Sequence, residues 1–171
     1  RGAGSDEAGS ANQPEIVLLG YHRGARALVE ALAAERPEWL GKLLVIDFNP
    51  VSLEEVKGRG IRGAFGDNKS MDVLKHAHIG HAKVICSTIP DMLLKGVDNA
   101  ALVRMSKAIA PHARIVVTGD DAAHEQRLRN EGADLVLRPF DLAGRSLCEL
   151  LGQFVDREQE EAAAEPQPAA D

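Results

Sequence analysis

The sequence predicts an α/β domain: a doubly wound, six-stranded parallel sheet with helices on both faces. Three observations predict it. Short apolar runs alternate with helical periodicity through most of the 171 residues. The first run, Ile16-Val17-Leu18-Leu19, meets Gly20 and then an Ala/Leu-rich stretch from Arg23, the signature of a first βα unit. The second run, Leu43-Leu44-Val45-Ile46, is apolar without alternation, as suits a strand covered on both sides.

Composition bounds the rest. The length suits one domain plus tails. At 44% hydrophobic and 4% aromatic, the core must be filled by aliphatic side chains. A net charge of −6 argues against nonspecific nucleic-acid binding and against a basic membrane patch. No apolar run is long enough to span a bilayer, and no secretory signal stands out. Cys86 and Cys148 fall in apolar or helical contexts and are expected to be buried thiols in a reducing compartment. The chain opens on Arg1, so it is expected to be a piece of a longer protein.

In order along the chain, residues 1–13 are Gly/Ser/Ala-rich and are expected to be a disordered linker. A first strand covers about 15–19. A first helix runs from Arg23 to about Glu35, where Arg36-Pro37 forbids continuation. Trp39 is expected in the following loop as a partly buried lid. The second strand ends on Asp47, followed by Phe48-Asn49-Pro50. A short helix from Ser52 to Lys57 has capping-box spacing at Ser52 and Glu55. The third strand, about 61–65, ends on Gly66-Asp67. Ser70 caps a helix to about His78. The fourth strand, 83–87, ends on Ser87-Thr88-Ile89. A helix over 99–109, a strand over 114–117, a helix over 122–130 and a strand over 134–137 follow. A last amphipathic helix is expected over 142–154. The domain is thus expected to cover 14–156. The Glu/Ala/Pro-rich residues 157–171 are expected to be a disordered tail.

In such folds ligands sit at the carboxyl ends of the strands, so strand-end residues are the candidates. The first turn would aim helix N–H groups at an anion above Gly20. A dinucleotide fingerprint wants G-x-G-x-x-G/A, and the slots hold Gly20, His22 and Ala25. A side chain at His22 crowds the approach of a pyrophosphate. Asp47 ends the second strand, where Rossmann-type domains hold an adenosine ribose. The alternative is a turn or helix-capping aspartate.

Together these strand ends resemble one family. Gly20-Tyr21-x-Arg23, Val45-Ile46-Asp47, Gly66-Asp67, Ser87-Thr88-Ile89-Pro90-Asp91 and Gly132-Ala133-Asp134 through Pro139-Phe140 are similar, in that order, to the RCK domains, also called KTN or TrkA-N domains. The segment from Phe65-Gly66-Asp67 to Leu94-Lys95-Gly96 is most similar to versions fused to bacterial monovalent cation:proton (K+/H+) antiporters. The resemblance implies a Rossmann-type fold and a noncatalytic regulatory role. Such domains lie on the cytoplasmic side of a potassium channel or antiporter and bind AMP, ADP, ATP or NAD(H). They also dimerise, and no metal is implied. Carried over by position, Gly20, His22 and Arg23 would face phosphate, Asp47 would hold ribose and Asp67 would lie near adenine. Ser87, Thr88 and Ile89 would line the far side. Their neighbours Tyr21, Phe48, Asn49, Gly66 and Asn68 would belong to the same nucleotide site.

Two residues depart from the pattern. His22 replaces the middle glycine, and Gly24 falls where the family usually has an aliphatic residue. A mononucleotide tolerates His22 better than an extended dinucleotide does. A protonated His22 would itself pair with phosphate and make binding pH-sensitive. No second ligand lobe follows the last helix, so the chain is expected to be the nucleotide-binding half only, or a version that lacks the other half.

Rival readings are a nucleotide-free dimerising scaffold, the cofactor domain of an NAD-dependent oxidoreductase, a phosphoacceptor receiver and a metal site. A receiver needs paired acidic residues after the first strand, where this chain has Gly20-Tyr21-His22. His76, His78 and His81 could grip a metal but lack a clear fourth ligand. His112 and His124 are expected at the surface. Asp120-Asp121 is expected to cap the following helix. The last helix carries Leu142, Leu147, Leu150, Leu151 and Phe154 as an apolar stripe, either core-facing or a dimer seam.

Overall fold

A computed structural model describes residues 13–67, 70–94 and 96–164, with no side chains described beyond Arg157. The expected linker therefore lies, except for Gln13, outside the described residues, as does Asn68. The chain divides into two compact units, residues 1–137 and 138–171.

The first unit is the sheet and its covering helices. Strands β1 (Ile16–Leu19), β2 (Leu43–Asp47), β3 (Arg62–Phe65), β4 (Val84–Ser87), β5 (Arg114–Thr118) and β6 (Leu135–Leu137) form one sheet in the order β3-β2-β1-β4-β5-β6. Every pairing is parallel. This is the Rossmann order, with its direction of winding reversed between β1 and β4. Helices α1 (Arg23–Glu35) and α2 (Pro50–Gly58) cover one face. Helices α3 (Met71–His76), α4 (Asn99–Ile109) and α5 (Ala122–Asn130) cover the other.

The strands sort their side chains by alternation. Val17, Leu19, Leu44, Ile46, Ile85, Ile115 and Val117 face α3–α5 and pack with Leu74, Val103 and Leu128. Leu18, Val45 and Cys86 face the other way, with Ala25 and Val29 of α1 and Val56 of α2. Cys86 is buried as expected, and that burial pushes its thiol up to about 11. Cys148, by contrast, is exposed, because its turn of the last helix is apolar but uncovered.

Three differences from the sequence reading have local causes. Helix α2 begins at Pro50, not Ser52. The Asn49 side chain accepts the Val51 N–H at 3.0 Å, and a proline needs no N–H in a first turn. Ser52 is therefore an interior, buried residue. Trp39 lies in a 3-10 helix, Pro37–Lys42, and keeps 40% exposure, with the Arg36 guanidinium 5.9 Å from its ring. His124 is only 5% exposed, contrary to its expected surface position, because it joins two loops at the sheet's edge. His112 is exposed.

The second unit contains α6 (Pro139–Ala164), longer than the helix expected over 142–154. Pro139 is tolerated in the first turn. Past Arg157 the Glu, Gln and Ala residues are strong helix formers without apolar periodicity, so the helix extends into the stretch expected to be tail. Phe140, Leu147, Leu150, Leu151 and Phe154 of α6 are all exposed.

Candidate functional site at the first turn

The site grows from the end of β1. Gly20 adopts φ +80°, a conformation that favours glycine, and its N–H donates to the Ile46 carbonyl at 2.8 Å. The next N–H, of Tyr21, donates to Asp47 Oδ2 at 2.6 Å. The Asn49 N–H donates to Asp47 Oδ1 at 2.7 Å. One carboxylate thus locks the β1–α1 turn to the β2–α2 turn. Asp47 is only 3% exposed. Asp47, expected to hold a ribose, also lines the cavity at this turn, and each of its oxygens already accepts one backbone N–H.

His22 is the N-cap of α1, in extended conformation, and its side chain makes no capping bond. Helices α2 to α5 are each capped by a side chain: Asn49, Ser70, Asp98 and Asp121. The last confirms the capping reading at Asp120-Asp121. The first-turn N–H groups of α1 have no intrahelical acceptor and no side-chain cap. No acidic residue lies in that turn, and Arg23 opens it. Arg23 is exposed and makes no ion pair among the described residues. Uncapped N–H groups, a positive dipole end and a free guanidinium suit an anion.

A cavity of about 280 Å³ opens there, lined by Tyr21, His22, Arg23, Arg26, Asp47, Phe48, Asn49 and Ser52. Six sequence candidates meet in it. Arg26 joins them without having been singled out, and so does Ser52, expected only as a helix cap. Arg26 sits one turn after Arg23, and i, i+3 spacing was the available signal. Its guanidinium lies 5.3 Å from the Tyr21 ring centre and 3.0 Å from Glu55 Oε2. Tyr21 itself is a core residue, 2% exposed, packed with Leu18, Val29 and Val56. Burial and then the Glu55 charge push its phenol up. Tyr21 therefore offers the site its backbone and a platform for Arg26, not a free hydroxyl.

The other candidates stand apart from this cavity. Gly66 is a packing glycine, since a Cβ there would overlap Val73. Asp67 is exposed at the end of β3. Ser87 is buried, and its Oγ donates to Asn99 Oδ1 at 3.1 Å. Ile89 packs with Leu94 and Leu102, and its carbonyl accepts from Asn99 Nδ2 at 2.7 Å. Asn99, the first residue of α4, was missed as the residue that ties down the end of β4. Thr88 reaches across the switch point toward α1, and its Oγ1 is buried without a hydrogen-bond partner among the described residues.

That reach explains Gly24. A Cβ on Gly24 would lie 2.7 Å from Thr88 Cβ and 2.9 Å from Thr88 Oγ1. Glycine there lets α1 pack closely on the end of β4. Exposed Gly→Ala changes in helices normally stabilise. Here Gly24→Ala is expected to destabilise by about 1–3 kcal/mol, the usual cost of overpacking. Urea denaturation measures it, and an unchanged midpoint would show that α1 slides to make room.

Among the described residues no group of three or more His, Cys, Asp or Glu side chains is arranged to hold a metal ion, His76, His78 and His81 included. Nor is any described helix long and apolar enough to cross a membrane.

Comparison with known proteins bears on the whole unit. The family model for the TrkA-N domain matches residues 16–139. The glutathione-regulated potassium-efflux system protein KefC of Escherichia coli is 28% identical over 122 residues, covering 71% of this chain and 18% of that protein. KefC of Salmonella arizonae is 28% identical over 144 residues, covering 82% and 22%. The chain thus spans about a fifth of the length of these curated relatives. Among solved structures, the TrkA-N domain of the Escherichia coli inner membrane protein YbaL superposes with a TM-score of 0.67 at 26% identity, covering 82% of this chain and 96% of that one. The GsuK channel bound to NAD shares the fold, with a TM-score of 0.66 at 21% identity, covering 81% and 24%.

Proposed function

The chain belongs to the TrkA-N domain family, and from that premise we propose that it is a noncatalytic regulatory module that binds an adenine nucleotide at the start of α1. Its parent is a potassium or cation transporter, with this module on the cytoplasmic side. The observation that carries the ligand is the uncapped α1 N-terminus, open to a cavity and flanked by Arg23. Phosphate binds those N–H groups and the Arg23 guanidinium. Arg26, braced by Tyr21 and Glu55, adds a second positive charge. Asn49, exposed beside the cavity, supplies a polar contact toward the ribose, and Phe48, 60% exposed, offers a face to the base.

A mononucleotide is the preferred ligand. The cavity takes residues only from α1, β2, α2 and their turns, so it lies on one side of the switch point. Its volume falls near the lower end of small-molecule sites, about 300–1,000 Å³. His22 occupies the place where a pyrophosphate needs bare backbone. The exposed apolar side chains of α6 support a homodimer as the functional unit.

A thermal-shift screen against AMP, ADP, ATP, NAD+, NADH and glutathione tests this reading. Glutathione is included because the KefC relatives are named for it. A ligand at a hundredfold excess over its dissociation constant adds about 2.7 kcal/mol. For a chain of this length that raises the midpoint by roughly 5–11 °C. AMP or ADP is expected to give the largest shift, and Arg23→Ala to abolish it without lowering the ligand-free midpoint. No shift with any nucleotide would leave the scaffold reading in its place.

A further inference from the structure

His124 lies in the first turn of α5 and joins two loops at the carboxyl end of the sheet. Its Nε2 sits 3.1 Å from Asp91 Oδ2, in the connection between β4 and α4. Its Nδ1 accepts the backbone N–H of Asp120, in the turn between β5 and α5, at 3.2 Å. The same Nδ1 is 3.6 Å from Asp120 Oδ2. An N–H aimed at Nδ1 leaves that nitrogen without a proton. Nε2 therefore carries the proton and donates to Asp91, which fixes one neutral tautomer.

The charges around the ring are carboxylates. Asp91 faces it from the β4–α4 connection and Asp120 from the β5–α5 turn. Asp121 accepts the His124 backbone N–H at 2.7 Å and has Arg127 as its own neighbour. From α4, Asn99 holds the other oxygen of Asp91 with its N–H at 2.9 Å and its Nδ2 at 2.8 Å. Asn99 also grips Ser87 and the Ile89 carbonyl, so the Asp91 end is anchored at the close of β4.

We propose that His124 is a proton-operated clasp between the β4–α4 connection and the β5–α5 turn. A second proton, taken from solvent onto Nδ1, cannot coexist with the Asp120 N–H that points at the same atom. The Asp120 backbone must release. The Asp120 carboxylate, whose side chain is 59% exposed and free to turn, then closes on the new Nδ1–H. An imidazolium is left between Asp91 and Asp120, and a backbone hydrogen bond has been exchanged for an ion pair. One proton thus selects between two arrangements of the β5–α5 turn. The device does not depend on any ligand at the first turn.

A nuclear magnetic resonance titration of this chain from about pH 8 to pH 5, the range in which histidines charge, tests it. At the alkaline end the ring nitrogen shifts are expected to place the proton on Nε2. As pH falls, the His124 ring signals and the Asp120 amide should move together, with one midpoint. The Asp120 amide should move upfield, and further than any amide beside exposed His112. In His124→Gln the Asp120 amide should become flat with pH. A ring that charges while the Asp120 amide stays still would overturn the clasp. So would a proton on Nδ1 at the alkaline end, or a ring that stays neutral throughout.

Discussion

Asp47→Ala is expected to lower stability by about 2–5 kcal/mol, the largest effect of any single substitution at the first turn. The carboxylate is 3% exposed and accepts two backbone N–H groups, from Tyr21 at 2.6 Å and Asn49 at 2.7 Å. Truncation leaves both donors without an acceptor in a place water barely reaches. Each orphaned donor costs about 1–3 kcal/mol. Asp47→Asn keeps one oxygen but points an amide N–H at the second donor, so it should recover only part of the loss. Urea denaturation at neutral pH measures both. Loss of nucleotide binding in Asp47→Ala would not identify a ribose contact, because the turn that carries Arg23 would have loosened. Arg23→Ala is the cleaner probe, since that side chain is exposed and makes no ion pair among the described residues. A wild-type denaturation midpoint for Asp47→Ala would refute the clamp.

The fold was legible because its signals are local and repeated. An apolar run, a glycine and a helical period recur along the chain, and that grammar specifies parallel strands. Helices α4 and α5 begin where their aspartate caps place them, and α1 begins after the Gly20 turn and ends before Pro37. What the sequence left hidden depends on partners distant in the chain. Asp47 looks like a ribose ligand from its place after β2. Only the approach of Tyr21, 26 residues earlier, shows that its oxygens are engaged. His124 looks like a surface residue until Asp91 is brought beside it, and Tyr21 looks like a ligand contact until its ring is found in the core with its hydroxyl on Glu55. Gly24 reads as a departure from a motif, and Thr88 supplies its reason from a different strand. At the site, the cluster around Gly20–Arg23 and Asp47–Asn49 was visible as two motifs. Their convergence with Arg26 and Ser52 was not, because that follows from how α1 and α2 lie side by side.

The second large effect is expected at the opposite end of the sheet, where Asp134 staples β6 to its neighbours. Its Oδ2 accepts Lys107 Nζ and the Ile115 N–H, each at 2.8 Å. Its Oδ1 accepts Arg114 Nη1 at 2.9 Å. Burial pushes this carboxyl up, but Lys107, the Ile115 N–H and Arg114 together outweigh it and hold it at about 2, from an ordinary 3.8. A pKa depressed by folding stabilises the fold above the unfolded value, and that stability is lost as pH falls through the folded value. Asp134 therefore contributes fully above about pH 4, and its contribution fades between about pH 4 and pH 2. A side chain that keeps 22% exposure is partly screened, so the contribution is about 1–2 kcal/mol. Asp134→Ala should cost more, about 2–3 kcal/mol at neutral pH, because it also orphans the Ile115 N–H and leaves the Lys107 ammonium only the Ala113 carbonyl. Asp134→Asn should keep much of the packing and lose the pH dependence. Urea midpoints for the wild type and Asp134→Asn should therefore converge as pH is lowered from 6 to about 2.5. Parallel lines over that range would mean that the staple carries no charge-dependent stability. In that case the neutral hydrogen bonds of β6 alone would hold the sheet's edge.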